Sequence, residues 1–153
     1  MADTNVRTCG PCTACCKTLP VQELKKPAGV WCPSCNIGQG CRIYAERPKG
    51  CREFACQWLK GSWENGDRPD KVKVVTDFVT HPAFGDTIVL YEVSSGGLDR
   101  RFATQARDAA LARPFAVLMV PVHGDATLFV GHTHKIPDEV VLEDGRNVRV
   151  ERR

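Results

Sequence analysis

The sequence predicts an α+β protein in two parts: a cysteine-rich module of short helices and loops, then a mostly antiparallel β-β-α-β-β-β-β unit. Three observations carry this expectation. All nine cysteines fall between Cys9 and Cys56, in a stretch punctuated by Gly and Pro. The segment Gly61–Pro69 is rich in turn formers. Beyond it the chain changes to Val- and Ile-rich runs separated by one helical pattern. The expected division is residues 1–62 and 63–153, the two packing as separate units or as one compact domain.

In the first part, Pro11 sits where proline opens a helix, so Cys12, Cys15 and Cys16 would share one helical face at i, i+3 and i+4. Pro27, Gly29, Pro33, Gly38 and Gly40 predict loops. A second helix is expected around residues 50–60, where Cys51, Phe54, Ala55, Trp58 and Leu59 make an apolar stripe. In the second part, Lys71–Val79 and Asp86–Val93 read as strands and Leu98–Arg113 as a helix stopped by Pro114. Phe115–Val122 and Thr127–His132 read as a hairpin with a two-residue turn at Gly124-Asp125, which would pair His123 with Ala126. Val140–Leu142 and Val148–Val150 read as a second hairpin around Asp144-Gly145.

Composition narrows the function classes. Hydrophobic residues make up 42% and charged residues 25%, as in ordinary globular domains. No stretch has the ~18 apolar residues of a membrane span, and the first residues lack a secretory pattern, so a reducing cytoplasm is the expected location. There, dense cysteines are expected to ligate metal instead of forming disulfides, and an odd count also argues against complete pairing. The first sixty residues hold nine Lys/Arg against four Asp/Glu. Eight metal-bound thiolates with two Zn²⁺ would contribute about −4, which offsets most of that excess, so nucleic-acid binding is not expected.

A Cys-x-x-Cys step turns the chain and aims two soft thiolates inward, a chemistry that selects zinc, copper(I) or iron–sulfur clusters. Such steps occur at Cys9–Cys12, Cys12–Cys15 and Cys32–Cys35, with Cys16, Cys41, Cys51 and Cys56 as further thiols. A loop-rich segment of this size with few long apolar runs would not fold on burial alone, and bound metal would supply the missing cross-links. Cys9-Gly-Pro-Cys12 matches the thioredoxin tetrapeptide, but no strand precedes it and more cysteines follow, so dithiol catalysis is not expected.

The run C-x-x-C-x-x-C-C from Cys9 to Cys16, followed by Cys41-x-Ile-Tyr-x-x-Arg-Pro-x-x-Cys51-Arg-x-Phe-x-Cys56-x-Trp-Leu, resembles the YkgJ-type CxxCxxCC cysteine-cluster family. That family is described as a zinc- or iron-chelating domain, and the match spans Cys9 to Leu59. The resemblance implies metal binding by these cysteines and defines no reaction. Cys32 and Cys35 lie in the family's variable region, so it carries them least. A similar motif occurs in the much larger flagellin lysine-N-methylases; their activity is not carried over to this chain.

Two metals stay open. Cys9, Cys12 and Cys15 have the spacing of a [4Fe–4S] site lacking its usual fourth cysteine, whereas Cys32 and Cys35 with two more thiols would make a tetrahedral zinc site. The expected ligands are therefore Cys9, Cys12, Cys15, Cys16, Cys32, Cys35, Cys41, Cys51 and Cys56, holding zinc or iron. Arg42, Arg47 and Arg52 are candidates for offsetting thiolate charge. Tyr44, Phe54, Trp58 and Trp63 are expected to pack around the cluster, and His132 and His134 to be surface residues at a strand end. No phosphate loop, dinucleotide fingerprint, nucleophile elbow or zinc-protease motif is present, so no catalytic residue is assigned. The rival readings are an iron–sulfur redox or accessory protein for a modifying enzyme, and a zinc-ribbon-like adaptor for nucleic acid or protein.

Overall fold

The computed structural model describes residues 12–82, 84–131, 140–142 and 145–152, without the side chains of residues 52 and 53. Cys9, Pro11, His132, His134 and Asp144 lie outside the described residues. Among those described, no helix is long and apolar enough to cross a membrane.

The first helix, α1, spans Ala14–Thr18, with Lys17 in its last turn. It is short because Pro20 follows: the residue before a proline is driven out of the helical region, and Leu19 is extended at φ −95° and ψ 141°. The chain then doubles back through an antiparallel bridge between Val21 and Lys26. Strands β1 (Cys35–Asn36) and β2 (Gly40–Cys41) form a two-stranded ribbon in the expected loop region, with Cys35 opposite Cys41. Gly38, at φ +76°, turns between them.

The next helix, α2, covers only Lys49–Glu53, not the expected 50–60. Phe54 is already extended, which frees the Gln57 amide to donate to the Thr76 carbonyl at 2.9 Å. The apolar stripe is still used, but on a sheet: Phe54 and Cys56 pack against Ala14, Val75 and Val93. Trp58 is buried, its indole N–H donating to the Glu64 carbonyl at 3.0 Å.

Helix α3 (Pro69–Val72) begins on its proline and ends at Lys73 in the left-handed region. Five strands follow in the order β3 (Val74–His81), β4 (Gly85–Glu92), β5 (Ala116–Val120), β6 (Ala126–Val130) and β7 (Val148–Arg152). Helix α4 (Arg101–Leu111) crosses from β4 to β5. Its Ala103, Ala106 and Ala110 let it sit close to Val74, Leu90, Val117, Met119 and Phe129. The fold is α+β, but the sheet is mixed, which corrects the mostly antiparallel expectation. β3–β4 and β5–β6 are antiparallel, while β4–β5 and β6–β7 are parallel.

Two turn expectations are also corrected. Met119 pairs with Thr127, so residues 121–125 form a longer loop, and His123 does not face Ala126. The second hairpin is reduced to one bridge, Val141 to Asn147. Val148–Arg152 instead runs parallel to β6, a ladder of five residue pairs that also sets Val148 against the apolar face of Phe84, Ala116, Leu128 and Val130.

Candidate functional site

The cysteines come from separate segments, and short-range hydrogen bonds draw those segments together. The Cys32 amide donates to the Cys16 carbonyl at 3.0 Å, which docks the 32–35 turn on α1. The Cys35 amide donates back to the Cys32 carbonyl at 3.0 Å, closing the Cys-Pro-Ser-Cys step into a tight turn. The Gly38 amide donates to Thr13 Oγ1 at 3.0 Å, pinning the tip of the β1–β2 ribbon beside the start of α1. Arg42 donates to the Pro33 carbonyl across the same ribbon.

The result is a set of thiols within electrostatic reach of one another. Cys16 hydrogen-bonds with Cys15 and with Cys35, and Cys51 lies within reach of Cys16, Cys32 and Cys41. The hydrogen bond with Cys15, then burial, pushes the Cys16 thiol above its ordinary range. Burial, then the Cys16 charge, pushes Cys35 up to about 12. Burial and the neighbouring thiols do the same to Cys51. These directions describe a cluster that resists ionising without a compensating positive charge.

One such charge comes from a lysine that no spacing or motif singles out. Lys26 is only 5% exposed. Its ammonium donates to the carbonyls of Lys17 at 3.1 Å and Pro27 at 3.0 Å, and to that of Leu19. Burial pushes its pKa down, while Cys32, Cys16, Cys51 and Cys15 oppose that shift. The three carbonyls use its three N–H donors.

Cys12 and Cys56 both touch the Ala14, Val75 and Val93 cluster. Arg68, paired to Asp70 at 2.6 Å, lies within reach of Cys12. Burial raises the Cys56 thiol, partly opposed by the backbone N–H groups of Leu59 and Trp58. No disulfide joins any of the eight described cysteines, and all are half-buried. Among the described residues, no three Cys, His, Asp or Glu side chains already close on one point that could hold a metal ion.

Instead, Cys12, Cys15, Cys16, Cys32, Cys41 and Cys51 line one cleft of about 650 Å³. Of the expected packing aromatics, Phe54 lines this cleft, and Trp63 packs edge-on to Phe102 with its N–H on Thr76 Oγ1 at 2.8 Å. Tyr44 departs from the expectation: it is 62% exposed at the cleft and carries Arg47 on its ring.

Fold and site together define an α+β protein with a cysteine-lined cleft beside a mixed five-stranded sheet. No protein-family model matches the chain, and no curated protein or solved structure matches it.

Proposed function

We propose that this chain is a metal-binding protein that chelates zinc or iron, the latter as an ion or an iron–sulfur cluster, through its N-terminal cysteines. The observation that carries the reading is the convergence of Cys12, Cys15, Cys16, Cys32, Cys41 and Cys51, from separate segments, on one cleft, with the buried Lys26 ammonium within electrostatic reach of Cys15, Cys16, Cys32 and Cys51. A buried cation is costly unless opposite charge lies close, and thiolates at these positions would supply it. Thiolates crowded together, in turn, need more positive charge than one lysine provides, and a bound cation supplies it. The CxxCxxCC resemblance points the same way.

Cys15, Cys16, Cys32, Cys35, Cys41 and Cys51 would form the principal ligand set, with Cys12 and Cys56 toward the sheet. Zinc there would act as a cross-link between α1, the ribbon and α2, whereas an iron–sulfur cluster would add electron transfer. Free thiolate chemistry of this kind fits a reducing compartment such as the cytoplasm. The test is anaerobic purification followed by metal analysis and visible spectroscopy. Stoichiometric zinc or iron, with thiols that resist alkylation until a chelator is added, is the expected result. Metal-free protein with four intact disulfides would overturn the reading.

A further inference from the structure

We infer that the cleft beside the thiols is a binding site for a small monocarboxylate with an apolar body. The inference goes beyond metal binding, and the ligand would share the cleft with the thiols of that reading. The space of about 650 Å³ is far larger than a closed metal site needs and falls in the range of small-molecule sites. Much of its wall is apolar, from Leu19, Val21, Leu24, Ile43 and Phe54.

Two charged side chains, Arg47 and Glu23, also line the cleft. The Arg47 guanidinium is held in place: Nε donates to the Tyr44 carbonyl at 3.0 Å, and the group lies 3.9 Å from the centre of the Tyr44 ring. Among the described residues no acceptor meets its terminal nitrogens. A planar guanidinium, already oriented and with its terminal N–H groups uncommitted, is the arrangement that recognises a carboxylate. Because the pose is set in advance, little rotamer freedom is lost on binding.

Glu23 sets the limit on ligand charge. Its carboxylate reaches the first turn of α2, where Oε2 lies 3.9 Å from the position of a Cβ on Gly50. A second anionic group in the cleft would meet this carboxylate. The site therefore favours one negative charge with an aliphatic or aromatic body over dicarboxylates or phosphate.

The experiment titrates the whole protein, purified without oxygen, with hexanoate, hexylamine and succinate, followed by calorimetry and by amide NMR shifts. Hexanoate is expected to saturate, with shifts at residues 19–24 and 41–48, and hexylamine and succinate to bind much more weakly. Arg47→Met should weaken hexanoate roughly tenfold or more, Arg47→Lys less, and Glu23→Gln should improve succinate. Absence of saturable hexanoate binding, or equal binding by Arg47→Met with an unchanged fold, overturns the inference. Metal content measured on the same samples separates the two readings. Hexanoate bound by metal-free protein refutes only the metal reading, and metal-loaded protein that ignores hexanoate refutes only this one.

Discussion

The backbone amide of Gln57 donates to the carbonyl of Thr76 at 2.9 Å, joining the end of the cysteine-rich segment to the first strand of the five-stranded sheet. Around this bond, Ala14, Phe54 and Cys56 share an apolar cluster with Val75 and Val93. Residues from both sides of the 62/63 boundary thus bury the same surface. We expect the two parts to unfold in a single transition when metal is removed or denaturant added. Coincident far-ultraviolet and tryptophan-fluorescence curves would meet that expectation, and a separate early loss of the first sixty residues would contradict it. Val75→Ala should cost about 1–3 kcal/mol and speed alkylation of Cys12 and Cys56.

Serine substitution should sort the thiols by position in space, not by their match to a motif. Cys35 has the weaker support from resemblance, yet it hydrogen-bonds with Cys16 within the cluster. Cys16→Ser, Cys35→Ser and Cys51→Ser are therefore expected to lower bound metal sharply, and Cys56→Ser less. Metal analysis of the four variants, with circular dichroism to check folding, measures this. Greater loss at Cys56 than at Cys35 would mean that the metal lies toward the sheet.

Lys26→Met should weaken metal retention roughly tenfold, because it removes a buried positive charge facing the thiolates. It also leaves the carbonyls of Lys17, Leu19 and Pro27 without their donor, at a cost of about 1–3 kcal/mol in stability. Competition against a chromophoric chelator reads the first effect and thermal unfolding the second. Lys26→Arg, which keeps the charge, should recover part of the metal affinity.

The metal-free chain should lose stability in alkali. Cys16, Cys35, Cys51 and Cys56 all have thiols raised in the folded state, Cys35 to about 12 from an ordinary value of 9.0. Above the unfolded value the unfolded chain gives up its protons first, so stability falls as pH rises from 9 toward 12. Below 9 this contribution is fully present. Melting temperatures of metal-free protein across that window, with a Cys35→Ser variant as reference, should decline less in the variant.

Gly97→Ala should destabilise the crossover into α4. A Cβ at position 97 would stand 2.4 Å from the Lys73 carbonyl oxygen, which also accepts the Val93 amide at 2.9 Å. That oxygen is backbone and cannot swing aside, and Lys73 Cβ at 3.2 Å and Glu92 Cγ at 3.3 Å crowd the same point, so relief requires a backbone shift, at a cost of about 1–3 kcal/mol. Urea midpoints of the two proteins, at equal slope, measure it.

Local pattern marked Lys71–Val79 and Asp86–Val93 as strands, Leu98–Arg113 as a helix, and the confinement of the cysteines to one end of the chain. The structure places these elements at Val74–His81, Gly85–Glu92 and Arg101–Leu111, with Lys71 and Val72 taken into α3. Alternation, helical period and turn residues act over a few neighbours, so they can be read from neighbours alone. Strand partners cannot be read that way. Val148–Arg152 carries the same alternation whether it folds back on Val140–Leu142 or runs beside Ala126–Val130, and only the longer ladder and the apolar face already built by Phe84 and Leu128 decide for β6. The same holds for α2, whose stripe through Leu59 is helical in period but is cut at Phe54 because the sheet edge at Thr76 takes the Gln57 amide. At the site, spacing named the thiols, but it carried no trace of Lys26 beneath them or of the Arg47 pose on Tyr44. Those depend on where the 21–26 bridge and the 44–46 turn come to rest, and tertiary packing alone sets that.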